Sequence, residues 1–458
     1  MVIRCSFCEV SSRDAKVIIQ RNDHSICNEC IALVKELLAE FGIGEVIESK
    51  GRCSFCSENH GGDRVVFQGK NAKICSECVG EMENEIKGNH GVQSKVAKKQ
   101  DTRTHSIISS RVKKGVQSLT AYSVPDYKCR VKLDGNESPF SLPQDVLEMV
   151  LKEASSIPIN RYPDPNSIEL RKKISRISKF PYEGILLGNG SDELIEMIMT
   201  TFSGGTGRAL YPVPTFSMVR ICCLALGLEP IEIELDDEFD IQLSLTLKGL
   251  AQKNPDIVFM ASPNNPTGNS FSEEKILGIL DNSGGIVVID EAYGDFCGKT
   301  YLPLIKKYEN LVILRTMSKV GFAGIRLGIL FGREQLIREI NKVRLPYNIN
   351  YYSQRIAKVI LDNSGFVREN LQLIIRERDR VYGELKGISG AKAFHSDANF
   401  ILFRVDDADK LFGELRRKGI LIRNFNTRGL LENCLRVTIG KPEENDSFLE
   451  ALREILSS

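Results

Sequence analysis

The chain has 458 residues, 42% of them hydrophobic and 26% charged, with a formal net charge of +1. That balance excludes a whole-molecule attraction to nucleic acid or to a membrane surface. The N-terminus, Met1-Val2-Ile3-Arg4-Cys5, lacks the apolar core of a signal peptide, and no run approaches the roughly 18 apolar residues of a transmembrane helix. A cytoplasmic protein is therefore expected, of about three domains at ~150 residues each.

In chain order the first feature is a repeat. Of the 13 cysteines, eight form four Cys-x-x-Cys pairs before residue 79, while Cys129, Cys222, Cys223, Cys297 and Cys434 are scattered. Cys5-Ser-Phe-Cys8, eighteen residues, then Cys27-Asn-Glu-Cys30 recurs 48 residues later as Cys53-Ser-Phe-Cys56, eighteen residues, then Cys75-Ser-Glu-Cys78. Each copy runs into an amphipathic helix pattern, Ile31 to Phe41 and Val79 to Ile86. Paired cysteines in a reducing compartment favour metal over disulfides. Two such knuckles supply the four tetrahedral thiolates of a closed structural zinc site, and a module of about 40 residues needs the metal to fold. Two zinc ions per chain are expected, the modules spanning 1–45 and 46–87; His24 and His60 are read as surface residues.

Residues 88–106 are polar, and 92–114 hold seven Lys/Arg against the single acid Asp101. This stretch reads as a solvated linker, with a weak polyanion contact as the alternative. Beyond it, from 107 to 458, the pattern is α/β. Apolar runs at Ile257–Ala261, Ile286–Ile289 and Leu311–Leu314 predict buried parallel strands, alternating with helical patterns such as Ser191–Phe202 and Glu274–Leu280. Such alternation implies a parallel sheet covered on both faces.

Those three strands end in Ser262-Pro-Asn-Asn-Pro-Thr-Gly268, Asp290-Glu-Ala-Tyr293 and Arg315-Thr-Met-Ser-Lys319. Ligands of open α/β sheets bind beyond the carboxyl ends of strands, so these clusters describe one pocket. Their chemistry suits pyridoxal phosphate, which needs a lysine for covalent attachment and a carboxylate to keep the ring nitrogen protonated. Lys319 and Asp290 fit those roles. Asn265 and Tyr293 can hydrogen-bond the phenolate oxygen, and Phe216 can stack on the ring. Gly190-Ser191-Asp192 opens a helix whose N-terminus can receive the phosphate, with Ser318 and Arg326 adding a hydroxyl and a guanidinium. Taken singly, each cluster has an ordinary reading as a turn, a helix start or a surface lysine. Their order and spacing make the pattern specific.

Two resemblances follow from longer motifs. Cys-Ser-Phe-Cys with Ile-Cys-x-Glu-Cys resembles the zinc-binding domain of the ClpX unfoldases, over 1–87, without the phosphate loop of the ATPase that normally follows. That likeness implies a protein-binding or dimerising module. Leu133-Asp-Gly-Asn-Glu-Ser-Pro139, Asn160-Arg-Tyr-Pro-Asp-Pro165, Gly188-Asn-Gly-Ser-Asp-Glu193, Ala398-Asn-Phe-Ile-Leu402, Gly419-Ile-Leu-Ile-Arg423 and Leu435-Arg-Val-Thr-Ile-Gly440 resemble the histidinol-phosphate aminotransferases. This second likeness implies a fold-type I homodimer, with a large domain near 155–345 built on a parallel or mixed sheet under helices on both faces, and a smaller α/β domain of 107–154 plus 346–458. It implies that Tyr162 crosses to the neighbouring subunit's cofactor phosphate and that Arg436 grips the substrate anion. Arg423, Tyr122 and Asn136 would assist around histidinol phosphate. Phe216, where tyrosine is common, keeps the stacking and loses a hydroxyl contact; Lys441 stands where a small residue is usual. Threonine-phosphate decarboxylases and other transaminases share the cofactor residues, and an interaction protein built around the zinc modules is the rival of another class.

Overall fold

The computed structural model describes residues 18–21, 24–27, 30–31, 51–52, 59–60, 66–68, 73–75, 78–79, 110–121, 127–204, 207–425 and 428–457. The chain divides into two compact units, Met1–Ser110 and Arg111–Ser458.

Unit 1 contains the same hairpin twice. Strand β1 (Ile18–Arg21) pairs antiparallel with β2 (His24–Cys27), Ile18 facing Cys27. After the short pair β3 (Gly51–Arg52) and β4 (Asn59–His60), β5 (Val66–Gln68) pairs with β6 (Lys73–Cys75), Val66 facing Cys75. Ile26, Ile31, Ile74 and Val79 are all buried, and each corresponds to its mate under the 48-residue offset. Each hairpin thus closes on the first cysteine of a second knuckle, and Cys30 and Cys78 open helical turns. Cys5, Cys8, Cys53, Cys56 and most of the two expected helices lie outside the described residues.

In unit 2, β7 (Val131–Lys132) is followed by helices α1 (Gln144–Ser155) and α2 (Ile168–Ser178). Then come β8 (Ile185–Asn189), α3 (Gly190–Phe202), β9 (Arg208–Val213), α4 (Ser217–Leu226), β10 (Glu229–Glu234), α5 (Leu243–Lys253) and β11 (Ile257–Ala261). The series continues with α6 (Glu273–Asn282), β12 (Ile286–Asp290), β13 (Leu311–Thr316) and β14 (Leu327–Gly332). The seven strands form one sheet in the order β10-β9-β11-β12-β13-β14-β8. The sheet is mixed, within the parallel or mixed sheet expected of the large domain: β14 runs antiparallel to both neighbours, which leaves β8 parallel to the rest.

Strands β11 and β13 are apolar almost throughout because the sheet is covered on both faces. Val258, Met260, Val287, Ile289 and Ile313 pack into one core, and Ile257, Phe259, Val288 and Val312 into the other. Edge strand β10 instead carries Glu229, Glu232 and Glu234, charges that discourage pairing with another chain. The carboxyl ends of β8, β9, β11, β12 and β13 therefore share one edge.

After α7 (Glu334–Asn341), α8 (Tyr351–Asp362) and the long α9 (Gly365–Lys386) comes a second, antiparallel sheet. It joins β15 (Lys392–Ala393), β16 (Phe400–Arg404), β19 (Cys434–Thr438) and β18 (Arg423–Asn424) in that order. Strand β17 (Ile420–Leu421) pairs with β7, so residues 131–132 return to this region. Helices α10 (Ala408–Arg417) and α11 (Pro442–Leu456) complete its core, with Leu415, Phe448 and Leu452 buried against Phe403. Among the described residues no helix is long and apolar enough to cross a membrane.

Candidate active site

Asp290 is the last residue of β12 and is 5% exposed. Among the described residues the donor recorded on its carboxylate is the Ala292 N–H at 2.9 Å. Burial pushes its pKa up to about 7, the Ala292 N–H draws it down, the Asp192 and Glu291 charges raise it further, and Lys319 opposes them. Lys319 follows β13 in a tight turn, Ser318–Phe322, and its Nζ lies 5.8 Å from the Tyr293 ring centroid. Ser318 is fixed by Thr316, whose Oγ1 accepts from the Ser318 N–H at 3.1 Å.

The anion seat sits where β8 turns into α3. Gly190 has φ +80°, and a Cβ there would lie 2.5 Å from the Arg326 guanidinium, so glycine is required by conformation and by space. The Gly190 N–H donates to Arg326 O at 2.8 Å, and the guanidinium donates to Asp192 Oδ2 at 2.8 Å. The Asp192 carboxylate thus aims Arg326, and what Asp192 offers an anion is its backbone N–H at the helix N-terminus, beside that of Ser191; the Gly190 N–H is already engaged by the Arg326 carbonyl. Glu193 Oε2 accepts from Asn189 N at 2.6 Å and from Asn348 Nδ2 at 2.8 Å, holding the strand-to-helix turn.

Arg436, on β19, is 8% exposed and donates to Asn265 Oδ1 at 2.6 Å and to Asp134 O at 2.7 Å. The Phe400 and Phe425 rings lie 5.2 and 5.7 Å from its guanidinium carbon. Arg423 stands directly opposite on β18. Asn136 is buried and donates from Nδ2 to the Tyr293 hydroxyl at 2.9 Å. Its backbone N–H donates to Thr438 Oγ1 at 3.0 Å, and its carbonyl accepts from Asn399 Nδ2 at 3.1 Å. Phe216 is half-buried ahead of α4, after Thr215, whose hydroxyl donates to Asn264 at 2.8 Å. Tyr162 is 78% exposed and stacks on Tyr347 at 4.3 Å. Tyr122 lies outside the described residues. Sequence reasoning missed Asp134, Thr438, Asn399 and Phe425; the first three stand inside or beside motifs already singled out, whereas nothing local marks Phe425.

These residues fit pyridoxal phosphate. A carboxylate pushed up to about 7 by burial is relieved by a protonated ring nitrogen, and the absence of a Cβ at Gly190 lets the Arg326 guanidinium lie against the start of α3, where it can meet an anion. A buried carboxylate, a lysine and an anion seat on one strand edge define a fold-type I pyridoxal-phosphate enzyme. The aminotransferase class I and II family matches residues 130–452, and the ClpX C4-type zinc finger matches residues 3–40. A histidinol-phosphate aminotransferase of Aquifex aeolicus is 41% identical over 345 residues, covering 75% of this chain and 97% of its own length. One from Nitrosococcus oceani is 39% identical over 354 residues, 76% of this chain and 98% of the relative. Among solved structures, the histidinol-phosphate aminotransferase of Clostridium acetobutylicum aligns with a TM-score of 0.65 at 28% identity, covering 71% of this chain and 99% of that one. The chain belongs to the class I and II aminotransferases, in their histidinol-phosphate aminotransferase branch, and carries a ClpX-type zinc finger ahead of the enzyme. Four thiolates are a zinc donor set.

Proposed function

We propose that this chain moves the amino group of histidinol phosphate to 2-oxoglutarate, giving imidazole acetol phosphate and glutamate. The observation that carries the reading is 41% identity over 97% of a histidinol-phosphate aminotransferase. When bound, pyridoxal phosphate supplies the carbon that takes up the amino group and a ring that accepts electron density. Lys319 Nζ would hold the cofactor at rest and, once freed, would move the substrate's proton as base and then acid. Asp290 would hold the ring nitrogen protonated. Tyr293 and Asn265 donate to the phenolate oxygen; with Asn265 Oδ1 engaged by Arg436, its amide hydrogens remain for that task. Arg326, Ser318 and the start of α3 would hold the phosphate, Phe216 would stack on the ring, and Asn136 orients Tyr293.

Arg436 grips the carboxylate of glutamate or the phosphate of histidinol phosphate, because a planar guanidinium suits both. Arg423 and Tyr122 assist at the phosphate end. The working form is a cytoplasmic homodimer in which Tyr162 reaches the neighbouring subunit's phosphate; its 78% exposure on a single chain leaves it available for that reach. An amino-donor panel on purified protein tests the assignment. Decarboxylation of threonine phosphate with no turnover of histidinol phosphate would sink it. Arg436→Ala should lower kcat/KM for histidinol phosphate and glutamate alike, by about 2–5 kcal/mol in transition-state binding. Unchanged kinetics in that variant would place the anion elsewhere.

The two four-cysteine modules hold one zinc each and form a docking unit for a protein partner, separable from the chemistry. The polar linker at 88–106 precedes every residue assigned a catalytic, cofactor or substrate role above. A dimer offers two copies of each module, so a multivalent partner gains avidity without new contacts. A protein beginning near Ser106 should stay dimeric and keep most of its turnover, and it should lose about two zinc ions per chain. Loss of activity on that truncation, or on mild chelation of the full chain, would show that the modules brace the active site.

A further inference from the structure

We propose that Glu291 and Arg315 are a positioning pair for the transamination chemistry, an ion pair behind the sheet edge that fixes Asp290 and Lys319 relative to each other. The inference rests on the pyridoxal-phosphate reading above. Glu291 directly follows Asp290, and successive side chains of a strand point to opposite faces. Consistent with that alternation, Val288 and Ile289 pack into the two different cores. Asp290 therefore faces the cofactor side and Glu291 faces away, so Glu291 cannot touch substrate or cofactor.

What Glu291 does touch is the neighbouring strand. Its side chain is 1% exposed, and Oε2 accepts from Arg315 Nε at 2.9 Å and from its terminal nitrogen at 2.8 Å. The other oxygen accepts from the Tyr301 N–H at 2.6 Å and from the Thr300 hydroxyl at 3.1 Å. Its backbone N–H donates to Leu314 O at 2.8 Å, and its carbonyl accepts from Gly294 N at 2.9 Å, closing the turn that carries Tyr293. Arg315 stands four residues before Lys319 and one before Thr316, which fixes Ser318. One carboxylate thus ties three segments: the end of β12 with Asp290 and Tyr293, the end of β13 leading to Lys319, and the turn at Thr300–Tyr301.

The chemistry gives that tether a purpose. Lys319 has to deliver a proton to a carbon whose electronics Asp290 sets through the far side of the ring, and these groups come from adjacent strands whose pairing stops at Asp290 and Leu314. Beyond the Glu291 N–H bond to Leu314 O no further ladder bond joins the two strands among the described residues, and the Glu291–Arg315 pair continues the join. A two-nitrogen guanidinium contact fixes orientation as well as distance, which a lysine cannot match.

The test uses the full-length holoenzyme with Arg315→Met, Arg315→Lys and Glu291→Gln, scored against wild type for bound cofactor, kcat per bound cofactor, KM and the pH titration of the cofactor's absorbance. Arg315→Met and Glu291→Gln should lose about tenfold in kcat per bound cofactor, with KM little changed, since a displacement of an ångström is enough to cost that much. The absorbance midpoint should move by at least about 0.5 pH unit, because Lys319 and Asp290 no longer sit at the same separation. Arg315→Lys should recover part of both readouts. A purely structural ion pair would lower the melting temperature while leaving kcat per bound cofactor within about twofold and the absorbance midpoint unmoved, and that result overturns the proposal. If Arg315→Met fails to fold, Arg315→Lys decides: wild-type kcat and midpoint in that variant overturn the proposal, and intermediate values support it. Absence of cofactor absorbance in the wild type would instead defeat the pyridoxal-phosphate reading.

Discussion

Lys319→Ala is expected to abolish transamination and to leave the cofactor held only by non-covalent contacts. The amine does two things that no neighbour can take over. On the function proposed above, it would form the covalent attachment and, once freed, would carry the proton. Proton transfer alone is worth up to about 10⁴-fold, and loss of the nucleophile adds to it, so residual turnover should sit at or below about one ten-thousandth of wild type. The surroundings make the effect specific to the amine: Ser318 is fixed through Thr316, and Asp290, Arg326 and Tyr293 are held by other partners, so they should keep their places. Cofactor should still bind through the α3 N-terminus and Arg326, but without the absorbance of the lysine-bound form. Lys319→Arg separates charge from chemistry, since a guanidinium keeps the positive charge and cannot make the attachment. A borohydride-reducible adduct persisting in Lys319→Ala would show that another amine carries the cofactor.

The pocket was readable in the sequence because each part of it follows a strand whose apolar run is unambiguous. Ile257–Ala261 was delimited to the residue, and the three polar clusters after β11, β12 and β13 do share one edge. The boundaries slipped where polar residues remain in the ladder. Asp290 still pairs with Leu314, and Arg315 and Thr316 still pair with Ile329 and Gly328, so both strands outlast their apolar stretch. The direction of β14 was legible in principle. Only Met317 to Arg326 separate it from β13, too few residues for the crossover of about a dozen that a parallel connection needs. Contacts that depend on distant segments could not be read at all. Nothing local in Asn136 predicts its hydrogen bonds to Tyr293 and Thr438, and nothing in Asp192 predicts that its carboxylate goes to Arg326. The cysteine repeat was legible for the opposite reason, since its spacing is local and occurs twice, although the hairpins that end at Cys27 and Cys75 were not foreseen.

Asp290→Asn should separate stability from catalysis, and pH gives the sign. The Asp290 pKa is raised from 3.8 to about 7, chiefly by burial. A carboxyl group whose folded pKa lies above its unfolded value contributes its stability fully below the unfolded pKa, and loses it as pH rises through the folded one. Cofactor-free wild type should therefore weaken between about pH 4 and pH 7. With a shift of about three units at 1.36 kcal/mol each, the loss is roughly 4 kcal/mol for this fully buried group. An asparagine at 290 carries no charge to desolvate, and its carbonyl oxygen can still accept from the Ala292 N–H. Stripped of cofactor, the variant should thus be more stable than wild type at pH 8, with the advantage largely gone at pH 4. Catalysis should move the other way. A neutral amide cannot hold the ring nitrogen protonated, so kcat should fall by at least about 10²–10³-fold, the scale of losing one preorganised electrostatic contact in a buried site. Loaded wild type should regain the stability it lacked, because the ring nitrogen supplies the positive charge that Asp290 otherwise misses. Urea titrations of stripped and loaded protein at pH 4, 6 and 8 read the stabilities, and turnover assays of the loaded protein read kcat. Parallel pH curves for wild type and Asp290→Asn in the stripped state would mean that Asp290 is already ionised at little cost, and the assignment of its burial as the source of its function would fail.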